Sequence, residues 1–300
     1  MWRGLELLEG MQGKVAIVTG AGRGLGRAES LELAKQGARV IVNDFEAGPA
    51  DEVVSEIKAT GGEAATHTGD VADWDTARAM VDLAVSTHGS LDILVNNAGI
   101  LRDRMLFNMG EDEWDAVIRV HLKGHFCMMR HAAEHWRNTA KAADGQVYGR
   151  IVNTSSEAGL LGSAGQPNYS AAKSGIIQLT LGAAQALGRY GVTANAIAPR
   201  ARTRMTEELG GFDTKDGDFE VFAPENVSPL VAYLGSPQAA KVNGQVFVVW
   251  GRQITVLKGP ATDEQFTTPE QWTPENVDAA LSPFYEQRRP VRDGFLSQHT

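Results

Sequence analysis

Seven short apolar runs, rich in β-branched residues, alternate with longer stretches of helical periodicity, and this alternation restricts the fold more than any other feature of the sequence. It is typical of repeated strand–helix–strand units around a parallel sheet. The predicted strands are residues 14–19, 39–43, 64–68, 93–96, 150–154, 193–198 and 245–249, and helices between them include 26–36, 75–88, 111–137 and 170–190. We therefore predict an α/β fold with a doubly wound, seven-stranded parallel sheet and helices on both faces, with the ligand along one edge.

Length and composition narrow the class of protein. A chain of 300 residues that is 43% hydrophobic can bury the core of an ordinary α/β domain. Its net charge of −9 disfavours nucleic acid and anionic membranes as partners. The single cysteine, Cys127, permits no disulfide within the chain and favours a reducing compartment, and no run approaches the ~18 apolar residues of a membrane span. We expect a cytoplasmic protein.

The sequence predicts one domain over residues 1–300, with its core at 11–258. Two segments interrupt the strand–helix alternation. Residues 200–224 are polar and contain glycine, and we predict that they form a lid over the substrate. Residues 259–300 are rich in proline, threonine and glutamine, and we predict a C-terminal extension with a helix over 274–285.

A glycine-rich loop joins the first predicted strand to the helix that follows. Glycines there let the backbone turn tightly and approach a pyrophosphate, whose charge the helix N-terminus favours. A glycine string is weak on its own, but here a strand precedes it, a helix follows it and an acid ends the second strand. We predict a Rossmann-type dinucleotide site whose candidate ligands in this loop are Gly20, Arg23, Gly24, Leu25 and Gly26.

The acid after the second strand is Asp44, whose carboxylate can accept hydrogen bonds from the adenosine ribose and would repel a 2′-phosphate. It favours NAD over NADP. Arg23 argues the other way, since a guanidinium in the glycine loop can pair with a phosphate. Asp44 has the greater weight because it sits where the ribose must lie, although a helix-capping role would also explain this residue taken alone.

Two more predicted strands end in polar turns. An Asp-Val pair follows the third strand, and an Asn-Asn-Ala-Gly turn ends the fourth. Turn formation alone would explain asparagine and glycine. However, both turns fall at the carboxyl ends of strands, where open α/β sheets bind their ligands. We therefore predict that the same site is lined by Asp70, Val71, Asn97, Ala98 and Gly99.

Tyr169 and Lys173 are four residues apart, so on a helix they share a face. A nearby ammonium favours a phenolate and would lower the pKa of Tyr169 from about 10 towards the range useful for acid/base chemistry. Ser156, just after the strand at 150–154, can hold a carbonyl oxygen while Tyr169 protonates it, with Ser155 as the alternative. Taken alone, the tyrosine and lysine would be explained by an exposed pair. No group of residues has the spacing of metal ligands.

Five motifs, in order and spacing, resemble the short-chain dehydrogenase/reductase superfamily: TGAGRGLG, NNAG, the serine, YSAAK and NAIAP at residues 195–199. The resemblance implies that Tyr169 is the general acid/base, that Lys173 holds the nicotinamide ribose and that Ser156 binds the substrate oxygen. It also implies cofactor contacts from the adenine-binding Asp70, from the NNAG turn and from Tyr169, Lys173, Pro199 and Thr203.

Two departures separate the chain from many members of that superfamily. His121 stands where a helix asparagine commonly holds a water beside the lysine, and Arg200 replaces a glycine after Pro199. Both departures resemble the dehydrogenase domains of peroxisomal multifunctional enzymes type 2, which oxidise (3R)-hydroxyacyl-CoA and 17β-hydroxysteroids. The chain is also similar to these domains in stretches such as VIVND, NNAGILRDR, WDAVIRVHLKG and GQPNYSAAK. Two interpretations of His121 stay open, a proton relay and a buried histidine satisfied by backbone.

Three functions follow as hypotheses. The leading one is an NAD-dependent oxidoreductase that interconverts the alcohol and ketone of a 3-hydroxyacyl-CoA or a hydroxysteroid-type lipid. A second is an NADPH-dependent reductase of small carbonyls or acyl-carrier-protein thioesters. A third is a catalytically silent NAD-binding regulator, against which the complete set of catalytic side chains argues.

Charged and apolar segments bear on the partners of the chain. Three arginines at the start of the predicted lid are candidates for meeting CoA phosphates, with solvated charges as the alternative: Arg200, Arg202 and Arg204. The superfamily resemblance implies a homodimer or homotetramer. The apolar segments 126–129 and 245–250 would serve as contacts in such an assembly or belong to the core.

Overall fold

The strands of the central sheet coincide with the apolar runs of the sequence. The computed structural model describes residues 7–202, 219–259, 262–269 and 271–286, and within these ranges one sheet contains eight strands. They are β1 (Val15–Val18), β2 (Arg39–Asp44), β3 (Glu63–Thr68), β4 (Ile93–Asn96), β5 (Gly149–Thr154), β6 (Val192–Pro199), β7 (Val246–Trp250) and β8 (Gln253–Val256).

The strand order is β3-β2-β1-β4-β5-β6-β7-β8. The chain moves outward from β1 to β3, then crosses back to β4 and continues the other way. Val18 of β1 is in register with Val42 of β2 and Val95 of β4, so the carboxyl ends of these three strands lie level. A crevice at such a reversal is the usual ligand site of a doubly wound sheet.

The predicted fold class is confirmed, with one correction to the number of strands. The seven predicted strands are parallel, whereas β8 turns back from β7 through two residues and pairs with it antiparallel. All four residues of β8 are exposed. The sequence analysis missed this strand because no buried apolar run marks it.

The helices cover both faces of the sheet. They are α1 (Gly24–Lys35), α2 (Ala47–Ala59), α3 (Trp74–His88), α4 (Glu111–Val117), α5 (Gly124–Ala142), α6 (Ala158–Leu161), α7 (Pro167–Leu187), α8 (Ser228–Gly235) and α9 (Pro274–Glu286). The helix predicted over 111–137 is divided, since a π-helical turn at Ile118–Lys123 separates α4 from α5. The helix predicted over 274–285 is confirmed as α9, none of whose residues is buried.

Two apolar cores lie on opposite faces of the sheet. Successive residues of a strand point to opposite faces, so Val18 and Val40 belong to one core and Ile17 and Ile41 to the other. Burial on both faces is what a parallel sheet between two helical layers requires. The sheet is therefore a rigid base for the loops at its carboxyl edge.

The two apolar segments with open roles are mostly core. Cys127, Met128 and Met129 are buried, as are residues 246–249 of β7, while Phe126 is 45% exposed. The predicted lid, 200–224, is described at 200–202 and 219–224, and Thr203 and Arg204 lie outside the described residues. No helix in the described ranges is long and apolar enough to cross a membrane.

Candidate active site

The glycine loop after β1 is folded against the turn after β4. Gly20 has a left-handed backbone, with φ +59°, and a Cβ there would lie 2.7 Å from Cα of Ala98, so a side chain would prevent this approach. Asn97 Nδ2 donates to the carbonyl oxygens of Thr19 and Gly20, at 3.1 and 3.0 Å. The Thr19 hydroxyl accepts from the backbone N–H groups of Asn97 and Ala98. The two predicted motifs thus form one cradle at the start of α1.

Asp44, at the end of β2, faces this cradle. Its Oδ2 accepts a hydrogen bond from the backbone N–H of Gly22 at 2.9 Å, and its Oδ1 accepts one from the N–H of Glu46 at 3.1 Å. Arg23 turns away, because its guanidinium forms an ion pair with Glu46 at 3.0 Å. The Asp44 carboxylate therefore contacts the backbone of the glycine loop, whereas the Arg23 side chain is paired with Glu46.

Asp70 lies after β3 with both carboxylate oxygens engaged. Oδ1 accepts from the backbone N–H of Ala72 at 2.8 Å, and Oδ2 forms an ion pair with Arg119 at 2.6 Å. Val71 is buried, in contact with the start of α5 at Gly124. Arg119 was not among the predicted site residues, since nothing in its local sequence connects it to an acid 49 positions earlier.

Tyr169 and Ser156 meet on the ligand edge of the sheet. The Tyr169 hydroxyl is hydrogen-bonded to the side chain of Ser156, and Ser156 Oγ also accepts from the backbone N–H of Ala158 at 3.2 Å. The Ser155 hydroxyl instead donates to the carbonyl oxygen of Lys173 at 2.9 Å. Of the two candidate serines, Ser156 is the one whose hydroxyl reaches Tyr169.

Lys173 lies one turn after Tyr169 on α7, as their spacing predicts. Its side chain is buried, and Nζ donates to the carbonyl oxygen of Thr154 at 2.6 Å. Nζ is 5.4 Å from the centroid of the Tyr169 ring. Burial lowers the pKa of Lys173 to about 7, so its amine binds a proton much more weakly than an exposed lysine does.

The expected lowering of the Tyr169 pKa is wrong for this structure. Burial raises the pKa of Tyr169 to about 12, and the charge of Asp103 adds to the rise while the hydrogen bond with Ser156 opposes it. The physical reason is that desolvation disfavours the phenolate, whereas Lys173 is directed at Thr154 and is itself only weakly basic. At neutral pH Tyr169 is therefore a proton donor.

His121 lies in the π-helical turn, within the same buried cluster. Its Nε2 is 3.0 Å from the backbone nitrogen and 2.7 Å from the carbonyl oxygen of Ile100. Its Nδ1 is buried and has no hydrogen-bond partner among the described residues. Burial lowers the pKa of His121 well below its ordinary value, and the charge of Lys173 lowers it further. The imidazole is neutral, half satisfied by backbone, and both interpretations of its role stay open.

A polar support for Tyr169 was not predicted from the sequence. Gln166, the residue before α7, donates from Nε2 to Asp103 Oδ2 at 2.8 Å. Asn168, fully buried, donates from Nδ2 to the carbonyl oxygens of Arg102 and Glu113, at 3.0 Å each. These contacts fix the start of α7 to the loop after β4 and to α4. The only signal in the sequence was the polar run just ahead of Tyr169.

Two arginines of the predicted cluster are paired with acids of this chain, and the third, Arg204, lies outside the described residues. Arg200 forms an ion pair with Glu157, and Arg202 forms one with Glu220 at 2.6 Å. Pro199 ends β6 beside them. Carboxylates of this chain thus engage both guanidinium groups, and the interpretation that these arginines meet CoA phosphates stays a prediction.

Comparisons with known proteins agree with this geometry. Residues 14–212 match the short chain dehydrogenase family. The chain is 52% identical to the hydroxyacyl-CoA dehydrogenase ChsB1 of Mycobacterium tuberculosis, across 93% of this chain and 91% of that protein. It is 41% identical to the peroxisomal multifunctional enzyme type 2 of Mus musculus, across 83% of this chain but only 33% of that protein. A crystal structure of a short chain dehydrogenase from Mycobacterium avium superposes with a TM-score of 0.85 at 50% identity, covering 94% of this chain and 98% of that one. The chain therefore belongs to the short chain dehydrogenase family.

Proposed function

We propose that this oxidoreductase interconverts the hydroxyl and keto groups at C3 of an acyl-CoA, using NAD. The observation that carries the proposal is the hydrogen bond between Ser156 and Tyr169, with buried Lys173 one turn away, beside the glycine cradle. The substrate class is supported by the relatives, one named a hydroxyacyl-CoA dehydrogenase and another a multifunctional enzyme type 2. A hydroxysteroid-type lipid is the second substrate class to test.

The cofactor residues fit a dinucleotide. Family members bind NAD or NADP, and the cofactor supplies the hydride acceptor or donor. Two observations favour NAD: the Asp44 carboxylate lies 2.9 Å from the Gly22 nitrogen, where it would repel a 2′-phosphate, and Arg23 is paired with Glu46. The residues proposed to hold the cofactor are Gly20, Arg23, Gly24, Leu25, Gly26, Asp44, Asp70, Val71, Asn97, Ala98, Gly99, Tyr169, Lys173 and Pro199, with Thr203 outside the described residues.

Tyr169 and Ser156 divide the work on the substrate oxygen. In reduction, Tyr169 donates its proton to the ketone oxygen while the Ser156 hydroxyl holds that oxygen in place. In oxidation, Tyr169 must first lose its proton, and its phenolate then accepts the proton of the substrate hydroxyl. Because burial favours the protonated tyrosine, the phenolate that forms in reduction needs a nearby cation, and Lys173, whose Nζ lies 5.4 Å from the centroid of the Tyr169 ring, is proposed to supply it. His121, neutral and against the Tyr169 ring, is proposed to relay protons from this pair.

Turnover with defined substrates tests the proposal. Purified enzyme is incubated with NAD and either 3-hydroxyacyl-CoA thioesters of increasing chain length or hydroxysteroids, and NADH formation is followed by absorbance. We expect the thioesters to be oxidised with a higher kcat/KM than the steroids. Activity on neither group of compounds would refute the proposed substrate class. Faster ketone reduction with NADPH than with NADH would favour the alternative function, a 3-oxoacyl or small-carbonyl reductase.

We propose that the protein is cytoplasmic and forms a homodimer or homotetramer. The oligomeric state is supported by the family resemblance and by an apolar groove between α5 and α7, lined by Leu122, Phe126, Met129 and Leu179. Sedimentation equilibrium of the purified protein tests it. A monomer at the concentrations used for turnover would contradict it.

A further inference from the structure

Glu157 and Arg200 form a paired-charge contact beside the active serine. Arg200 Nε lies 2.5 Å from Glu157 Oε2 and Arg200 Nη2 lies 2.7 Å from Oε1, so two parallel hydrogen bonds join the groups. The Arg200 side chain is 16% exposed and the Glu157 side chain is 4% exposed. Bidentate pairs shielded from water hold a fixed geometry more firmly than surface ion pairs do. The hydrogen bond to Glu157 raises the pKa of Arg200, which keeps the pair charged.

On one side the pair holds the turn that carries the serine. Glu157 directly follows Ser156, and its carbonyl oxygen accepts the N–H groups of Leu160 and Leu161, at 2.9 Å each. The helix α6 that starts there has only four residues, too few to be stable by itself. The Glu157 side chain is therefore an external anchor for the turn, adjacent to the residue whose hydroxyl bonds Tyr169.

On the other side Arg200 is fixed to the end of the sheet. Its backbone N–H donates to the carbonyl oxygen of Val249 at 3.0 Å, and its guanidinium lies 5.0 Å from the centroid of the Trp250 ring. Trp250 stacks on Phe222, with centroids 5.7 Å apart and planes at 13°. The N–H of Arg202 donates to the carbonyl oxygen of Phe222 at 2.7 Å. Arg200 therefore belongs to a rigid unit made of β7 and residues 200–202 and 219–222.

Stability alone is a poor explanation of such a pair. Replacing a buried ion pair by apolar residues is often neutral or stabilising, whereas removing one partner leaves a costly unpaired charge. The position of the pair, between the serine turn and the end of the sheet, explains it better. We infer that Glu157 and Arg200 are positioning residues that hold the Ser156 hydroxyl at Tyr169. This inference rests on the proposed catalytic role of Ser156.

A double-mutant cycle through Ser156 tests the inference. Glu157→Gln and Arg200→Lys are made in the wild-type and Ser156→Ala backgrounds, and kcat, KM, the dinucleotide Kd and Tm are measured. We expect each single variant to lower kcat at least tenfold with KM and Kd within twofold. In the Ser156→Ala background the same changes should have almost no further effect on kcat, because the hydroxyl that they position is absent. A purely structural role would lower kcat equally in both backgrounds.

Two further measurements keep the outcome decisive. Glu56→Gln breaks another two-point arginine–glutamate contact, that with Arg27, which has no connection to the serine turn, and we expect its kcat to be unchanged. If Glu157→Gln does not fold, Arg200→Lys carries the cycle. The assays use whichever secondary alcohol the wild-type enzyme oxidises fastest, so failure with acyl-CoA would refute the proposed substrate alone. Unchanged kcat in both pair variants, or equal losses in both backgrounds, would overturn the inference.

Discussion

The Tyr169 ring stands edge-on to the imidazole of His121, with centroids 5.1 Å apart and planes at 87°. One ring nitrogen of His121 is bound to the backbone of Ile100, and the other is buried without a partner among the described residues. A neutral imidazole has one donor and one acceptor nitrogen, so it can pass a proton without holding a charge. This arrangement places His121, whose role the sequence analysis left open, against the tyrosine that we propose as the acid/base.

Substitutions of His121 separate a relay from a packing role. We expect His121→Asn, which keeps a donor and an acceptor, to retain kcat within about tenfold, and His121→Leu to lose about a hundredfold, the range typical of positioned proton-transfer groups. Steady-state kinetics together with the dinucleotide Kd would measure this. If His121→Leu oxidised its substrate at the wild-type rate, His121 would be a packing residue.

Gly99 should be essential because of His121. A Cβ at Gly99 would overlap the His121 ring, so we expect Gly99→Ala to lower both Tm and kcat by displacing the imidazole from Tyr169. Gly48→Ala on α2 is the matched control, because a Cβ there meets nothing within 4 Å and alanine favours a helix. The double variant Gly99→Ala/His121→Asn should recover Tm. No recovery would show that Gly99 is needed for a different reason.

Cofactor choice should depend on the carboxylates around the glycine loop. Asp44→Ser removes the charge that repels a 2′-phosphate, and adding Glu46→Gln releases Arg23 to pair with one. We expect the ratio of NADPH to NADH affinity to rise at least tenfold in the single variant and further in the double variant. Fluorescence titration of both cofactors measures it. Tighter NADPH binding by the unmodified protein would contradict the assignment of Asp44.

Glu29 predicts how stability depends on pH. This carboxyl on α1 is fully buried, neither oxygen has a partner among the described residues, and burial raises its pKa from 4.5 to about 8. Between these values the folded state keeps a proton that the unfolded state releases, so Glu29 makes the free energy of unfolding fall as pH rises by roughly 1.4 kcal/mol per unit. Glu29→Gln should remove this dependence and be the more stable form above about pH 8.

Urea unfolding at several pH values measures the effect of Glu29. Glu52→Gln, on the exposed surface of α2, is the control and should follow the wild-type curve. Parallel curves for Glu29→Gln and the wild-type protein would mean that the buried carboxyl is not protonated in the folded state.

The sheet edge and the site upon it were predictable because they depend on local spacing. Strand, glycine loop and helix follow one another in the sequence, and residues 169 and 173 share a helix face by periodicity alone. Parallel strands then bring the ends of β1, β2 and β4 level. Thus Gly20, Asp44 and Asn97 were found without knowledge of any distant contact.

The rest depends on contacts between distant residues and on burial. Glu157 pairs with Arg200 43 positions away, which no local pattern indicates. Desolvation raises the pKa of Tyr169, whereas the neighbouring lysine suggests that this pKa should be lowered. Exposed β8 and the π-helical turn carry no periodic apolar signal.

Removal of the Tyr169 hydroxyl group most directly tests the claim that this residue is the acid/base. Tyr169→Phe removes the hydroxyl that bonds Ser156 and keeps the ring against His121. The assay follows oxidation of 3-hydroxyacyl-CoA with NAD, alongside calorimetric titration of the dinucleotide. We expect turnover to fall by about a thousandfold or more, within the range for loss of an essential proton-transfer group, while the dinucleotide Kd stays within about threefold. Turnover near the wild-type rate would contradict the assignment of Tyr169 as the acid/base.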